Sequence, residues 1–230
     1  MEVVLPSCEI LTPLHKAGMT GVDMLKRIEA AGRTCYKSEA AITEDSAREF
    51  VRKIIKRGHH SVLEHESVSV RFIIDRGVSH ELVRHRLAAY SQESTRYCDY
   101  GNGHIQFIKP LWTNLPVGVY TPRMQVPDDG DAIWLSAMES AETHYQALRK
   151  QGWKPQKARS VLPNSLKTEI VATYNLREWR HVFSLRTAHA AHPQIREVMV
   201  PLCQEMRRLI PVVFDDLDVP DESIEVRHKP

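Results

Sequence analysis

ESVSVRFIIDRGVSHELVRHRLAAYSQESTRY, residues 66–97, changes its hydrophobic period part-way along. Up to Asp75 it sets Val68, Val70, Phe72 and Ile74 against Ser67, Ser69 and Arg71, the period-two alternation of a half-buried strand. From Ser79 the pattern turns helical. Ser79 is placed to cap, Glu81 falls in the first turn where the helix dipole favours an acid, and Leu82 and Val83 face a core. This helix is expected to carry Arg84, His85 and Arg86 toward its end.

The same two periods recur outward from this stretch. Upstream, Val3, Val4 and Leu5, then Ile10 and Leu11, read as strand, and a helix follows from about Val22 to Ala31. Thr43 is placed to cap a second helix with Ala47, Phe50, Val51, Ile54 and Ile55 on one face and Gly58 at its end. Downstream, Ile133, Trp134, Ala137, Met138, Ala141, Tyr145 and Leu148 mark a long amphipathic helix closed by Gly152 and Pro155. Leu166, Thr168, Ile170, Ala172 and Tyr174 alternate as a strand, Asn175 caps a helix to about Arg186, and Pro193 opens a last helix striped by Ile195, Val198, Met199, Leu202, Met206, Leu209 and Ile210. Long helices interleaved with a few well-separated strands fit an α+β fold better than a βαβ series. With no composition break, repeat or low-complexity tract, residues 1–230 are expected to form a single domain, an antiparallel sheet packed with long helices. A loop-rich excursion is expected over about 98–130, where Pro110, Pro116, Pro122 and Pro127 alternate with glycines, and a loose tail over about 215–230.

Composition narrows the function classes. The chain is 42% hydrophobic and 26% charged, ordinary for a globular protein. No apolar run approaches the roughly 18 residues of a membrane helix, and MEVVLPSCEI lacks a signal-peptide layout, so a cytoplasmic protein without membrane partners is expected. Cys8, Cys35, Cys98 and Cys203 are too scattered for a disulfide framework or a zinc site and read as reduced thiols. A net charge of +2 and 7% aromatic residues argue against nucleic acid as partner. Anions must be held by local clusters.

Three clusters stand out. In residues 84–97, Arg84, His85, Arg86 and Arg96 face the single acid Glu93. On a helix Arg84 to Arg86 would sweep about 200°, so they serve two ligands, or one ligand and a subunit interface, unless they are a solvated basic helix end. Ser91, Gln92, Ser94 and Arg96 add short donors suited to an anion. In GHHSVLEHES, residues 58–67, His59, His60, Glu64 and His65 do not have the spacing of a zinc-binding helix, and no metal is expected. Along NLREWRHVFSLRTAHAAHPQIRE, Arg177 and His181 share a helical face and Arg186 closes the helix, although such a face is more often plain surface. No P-loop or G-x-G-x-x-G motif is present.

Arg84-His85-Arg86, seven residues, then Ser94, Thr95, Arg96 and Tyr97 resembles the signature of the flavin-dependent thymidylate synthases. GHHSVLEH, ARSVLP at residues 158–163 and NLREWRHVFSLR resemble three further segments of that family, in the family's order. The resemblance implies reductive methylation of dUMP to dTMP by an enzyme with FAD as cofactor, methylenetetrahydrofolate as carbon donor and NADPH as reductant. It implies a homotetramer that shares active sites between subunits, and no cysteine nucleophile. By the same resemblance Glu81, Arg84, Gln92, Ser94, Arg96, Arg159 and Arg186 would hold dUMP, with Arg186 polarising the uracil ring. Arg84, His85, Arg86, Gln92, Asn175, Arg177 and His181 would hold FAD, and Arg33 or Cys35 would approach it. Arg186, Ser94 and His59 are the catalytic candidates, although no histidine stands beside Ser94 to act as its base. The chain departs from many members at Ser91-Gln92, where they carry Asn-Glu, and from one branch at His181 and Ala190.

Overall fold

The computed structural model describes residues 1–121 and 129–220. Its centre is the alternating stretch of residues 67–75. Strand β3 (Ser67–Asp75) buries Val68, Val70, Phe72 and Ile74 to 1% exposure or less and turns Ser67 and Arg71 to the surface. It pairs antiparallel over its whole length with β7 (Lys167–Asn175), whose alternate residues Thr168, Ile170, Ala172 and Tyr174 are fully buried. Strands β2 (Ser7–Ile10) and β4 (Ala88–Gln92) complete an antiparallel sheet of order β2-β3-β7-β4. Around its buried face α1 (Gly21–Thr34), α2 (Ser46–Lys56), α6 (Leu176–Arg186) and α7 (Pro193–Leu209) form the larger core, with Leu25, Ile28, Val51, Trp179, Phe183 and Met206. Trp179 donates its indole N–H to the Val68 carbonyl at 3.0 Å, so its burial leaves no donor orphaned.

The expected excursion of residues 98–130 instead contributes to a second layer. Strand β1 (Glu2–Val4) lies between β5 (Gln106–Ile108), to which it is parallel, and β6 (Gly118–Val119). With α4 (Asp129–Lys150) and the short α5 (Pro155–Ala158) these strands enclose a smaller core of Val3, Ile105, Phe107, Leu115, Leu135, Met138, Tyr145 and Ala158. The α+β class is present, but the sheet content is not wholly antiparallel. Strands of two or three residues are too short to show a period. On α4 Leu135 is buried while Ile133 is 71% exposed, so the inward face is rotated from the expected stripe. Pro122 and Pro127 lie outside the described residues.

Three helix boundaries also differ from expectation. Helix α3 (Arg76–Leu82) is capped by Asp75, whose Oδ1 accepts from Val78 N at 2.6 Å, and it ends before Arg84. Asp75 closes the strand and opens the helix at once, which hides the cap inside the apolar run. Ser79 lies inside α3 and donates to the Arg76 carbonyl. Thr43 is not the cap of α2, which begins at Ser46; Gly58 ends that helix with φ +74°, a conformation that suits glycine. The tail is packed through residue 220: Phe214 and Val219 are buried and Asp216 takes both prongs of Arg180 at 2.6 and 2.8 Å. Residues 221–230 of that tail lie outside the described residues. Among the described residues no helix is long and apolar enough to cross a membrane.

Candidate functional site

Helix α3 stops at Leu82, and the chain makes a tight turn before β4. In that turn His85 points inward and is 5% exposed, whereas Arg84 and Arg86 are exposed. The divergence expected from a helix therefore arises from a turn. Neither exposed arginine has a side-chain partner among the described residues.

Arg186, the last residue of α6, meets the turn from the other side. Its Nε donates to His85 Nε2 at 2.9 Å, Nη1 to Glu81 Oε2 at 2.8 Å and Nη2 to the Glu81 carbonyl at 3.2 Å. Three of its five N–H groups are thus used and two remain. Because Nε2 accepts, the imidazole proton belongs on Nδ1, 3.7 Å from Glu178 Oε1. Burial, then the charges of Arg186 and His181, push the His85 pKa down to about 4, so this ring is neutral at physiological pH. Burial raises the Glu178 carboxyl.

His85, Glu178 and His181 form a cluster with metal-ligand chemistry. The His85 lone pair is already occupied by a guanidinium, however, and a divalent ion there would sit beside the Arg186 charge.

A second group lies around the turn after β4. Glu93 accepts from Tyr100 at 2.6 Å, Lys167 at 3.4 Å and the Glu169 amide at 3.2 Å, which anchors the chain just before Ser94. Ser94 Oγ accepts from Arg96 N at 3.4 Å and has no histidine bonded to it among the described residues. Arg159 Nη1 donates to Thr95 at 3.0 Å, and Arg96 stacks over Tyr97 with its guanidinium carbon 5.5 Å from the ring centroid. Gln92 turns inward to Ser79 at 3.0 Å and Thr168 at 3.2 Å.

One cavity adjoins the first group, and a second shares lining residues with it. The second, of about 810 Å³, runs between α1, α2 and the 3-10 turn His60–His65, and Arg33, Cys35, Tyr36, Arg57, His59 and Arg177 are among its lining. The first, about 540 Å³, is bounded by Leu87, Glu178, His181 and Ser184. They share His60 and Arg177, so the surface continues from His59 to the His85 environment. Arg177 donates to Glu64 at 2.5 Å, and Asn175 Oδ1 accepts from Glu178 N at 2.8 Å as the α6 cap.

The structure brings Glu81, His85 and Arg186 into direct contact and sets His181 beside them, its ring 5.8 Å from His85. It places Ser94, Arg96 and Arg159 in the second group and ties Gln92 to α3 through Ser79. Sequence reasoning missed Glu178, Tyr90 and the polar role of Tyr174. The one available signal was spacing, since Glu178 precedes His181 by a helical turn.

Residues 20–212 match a family described as "Thymidylate synthase complementing protein". A flavin-dependent thymidylate synthase of Mycobacterium tuberculosis is 34% identical over 212 residues, covering 84% of this chain and 79% of that protein. The enzyme so named from Mycobacteroides abscessus is 33% identical over 199 residues, with the same coverage. A UMP/dUMP methylase, PolB from Streptomyces cacaoi, crystallised with 5-Br dUMP, superimposes with a TM-score of 0.72 at 27% identity, over 94% of this chain and 96% of that one. Thymidylate synthase X from Helicobacter pylori, crystallised with FAD and dUMP, shares the fold with a TM-score of 0.66 at 21% identity, over 92% and 99% of the two chains.

Proposed function

Because the chain belongs to the family of flavin-dependent thymidylate synthases, we propose that it methylates dUMP to dTMP with FAD as cofactor, methylenetetrahydrofolate as carbon donor and NADPH as reductant. The observation that carries this reading is Arg186. Its charge is held by Glu81 and His85 with two N–H groups left over, the arrangement needed to stabilise negative charge developing on a uracil oxygen. A neutral His85 supports it, since the imidazole orients the guanidinium without repelling it.

The chain's residues suit a flavin. The joined cavities offer space together with the cations Arg33, Arg57 and Arg177, and Arg84 and Arg86 have donors free for a pyrophosphate. On this reading Arg84, His85, Arg86, Gln92, Asn175, Arg177 and His181 hold FAD, and His59 lies in the cavity where the flavin ring and folate meet. Bound FAD, once reduced, supplies the hydride chemistry. Glu81, Arg84, Gln92, Ser94, Arg96, Arg159 and Arg186 hold and orient dUMP. Ser94 serves as a donor, because it lacks a base. A mechanism without a cysteine nucleophile is supported by Cys8 and Cys203, whose thiols burial pushes up to about 11.

One chain spreads these residues over two groups, which supports a homotetramer that completes each site from neighbouring subunits around a single domain. On this reading it is a cytoplasmic enzyme that acts on small molecules, and its small net charge supports one that works without nucleic acid.

The test is the visible spectrum of the purified protein during anaerobic NADPH addition, with and without dUMP, followed by turnover with dUMP and with UMP. Flavin bands that bleach faster with dUMP, and formation of dTMP, are expected; a chain that takes up no FAD overturns the reading. Arg186→Ala is expected to keep FAD while dUMP binding and turnover fall about a hundredfold or more. Unchanged turnover would remove Arg186 from the mechanism.

A further inference from the structure

The turn that presents Arg84, His85 and Arg86 is closed by two long backbone bonds, Arg84 N to the Glu81 carbonyl at 3.2 Å and His85 N to the Leu82 carbonyl at 3.3 Å. A side chain from the next strand does the rest. The Tyr90 hydroxyl lies 2.6 Å from the His85 carbonyl, 2.8 Å from the Leu82 carbonyl and 2.8 Å from the Tyr174 hydroxyl. Tyr174 is fully buried, and Tyr90 is its hydroxyl's one partner among the described residues.

These contacts dictate the proton order. A carbonyl oxygen can only accept, so Tyr90 must give its single proton to the two carbonyls, and Tyr174 must donate to Tyr90. Any other order leaves a buried donor unsatisfied and sets lone pairs against a carbonyl at 2.6 Å. The sheet register makes the pair possible: Ala88 faces Tyr174 and Tyr90 faces Ala172, so the two tyrosines are diagonal neighbours on one face of β4 and β7. Their rings meet edge-on at 5.8 Å, and the Tyr174 ring also meets the His85 imidazole at 6.5 Å.

We propose that Tyr90 is a positioning residue whose hydroxyl, oriented by Tyr174, clamps the Leu82 and His85 carbonyls. The clamp holds His85 inward against Arg186 while Arg84 and Arg86 project outward. Tyr90 acts on the reaction only through these three residues, and the inference rests on the reading that they hold FAD and dUMP.

The experiment compares the wild-type chain with Tyr90→Phe and Tyr174→Phe. Tyr90→Phe removes the proton that binds both carbonyls. Tyr174→Phe leaves that proton in place and removes only the donor behind it. In Tyr90→Phe, amide hydrogen exchange at residues 83–86 is expected to quicken about tenfold, and the dissociation constant for FAD to rise about tenfold, with an unchanged circular dichroism spectrum. In Tyr174→Phe both are expected within about threefold of wild type. Unaltered exchange in Tyr90→Phe overturns the clamp whatever ligand the site takes. Altered exchange with unaltered FAD affinity overturns its positioning role. A Tyr90→Phe chain that does not fold would make the hydroxyl a requirement of the fold and also overturn the assignment. A wild-type chain that takes up no FAD would instead overturn the functional reading, and the exchange comparison would still decide whether the clamp exists.

Discussion

At Arg186 a cation is held by one carboxyl group and one neutral ring, and the neutrality of His85 has a measurable consequence. With its pKa pushed down to about 4 against an ordinary 6.5, His85 binds a proton more readily in the unfolded chain. Stability therefore rises with pH between those values, and the loss on acidifying below them is on the order of 3 kcal/mol. Glu197 acts in the opposite sense. Burial pushes its carboxyl up to about 7 from 4.5, its Oε2 has no hydrogen-bond partner among the described residues, and the folded chain keeps a proton that the unfolded chain has released. Its contribution thus falls as pH rises from 4.5 to 7. Where the windows overlap, from about pH 4.5 to 6.5, the two effects oppose each other in the urea midpoint of the wild-type chain. His85→Gln should make stability fall with pH in that range and Glu197→Gln should make it rise. Parallel profiles for both variants would contradict this account.

At the scale of elements, the site depends on where helices begin and end. The Asp75 carboxylate caps α3 through Val78 N and reaches α7 through Gln194 Nε2 at 2.7 Å, so one side chain sets the helix that offers Glu81 to Arg186. Asp75→Ala is expected to cost about 2 kcal/mol in urea denaturation, against about 1 for Thr20→Ala at the α1 capping box. Helix packing imposes a second limit. A Cβ on Gly21 would stand 2.1 Å from the Leu209 carbonyl oxygen, so the start of α1 lies directly on the end of α7. Gly21→Ala must push two helices apart and is expected to cost about 3 kcal/mol or more, read as a lowered urea midpoint. An unchanged midpoint would mean that the two helices have room for a methyl group at Gly21.

For the whole molecule, the relevant fact is that Glu81, His85 and Arg186 form one group while Arg96 and Arg159 belong to another. Sedimentation is expected to give four times the 26.4 kDa chain mass. If subunits complete one another's sites, mixing inactive Arg186→Ala and Arg159→Ala chains after joint unfolding and refolding should restore part of the activity. No recovery in mixed tetramers would place both arginines in one chain's site.

Much of this was legible in the residues, for reasons that differ by feature. The period-two runs around Phe72 and Ile170 made both central strands readable, because a strand buried on one face must alternate. Asn175 and Pro193 marked helix starts, because caps and fixed φ angles act within a few residues. The spacing from Arg84 to Arg96 pointed to anion chemistry and to a family. The cap at Asp75 was hidden in an apolar run, and β1, β5 and β6 were too short to carry a period. Local chemistry, composition and the order of elements were thus determined by the sequence itself, since each depends on near neighbours. Only the tertiary structure decided that His85 turns inward to Arg186, that Glu178 stands behind it, and that Tyr90 and Tyr174 close the turn. Apart from the Tyr90 bonds to the turn itself, those contacts join residues 84 to 101 positions apart, and their geometry follows from strand register and helix packing that no local pattern encodes.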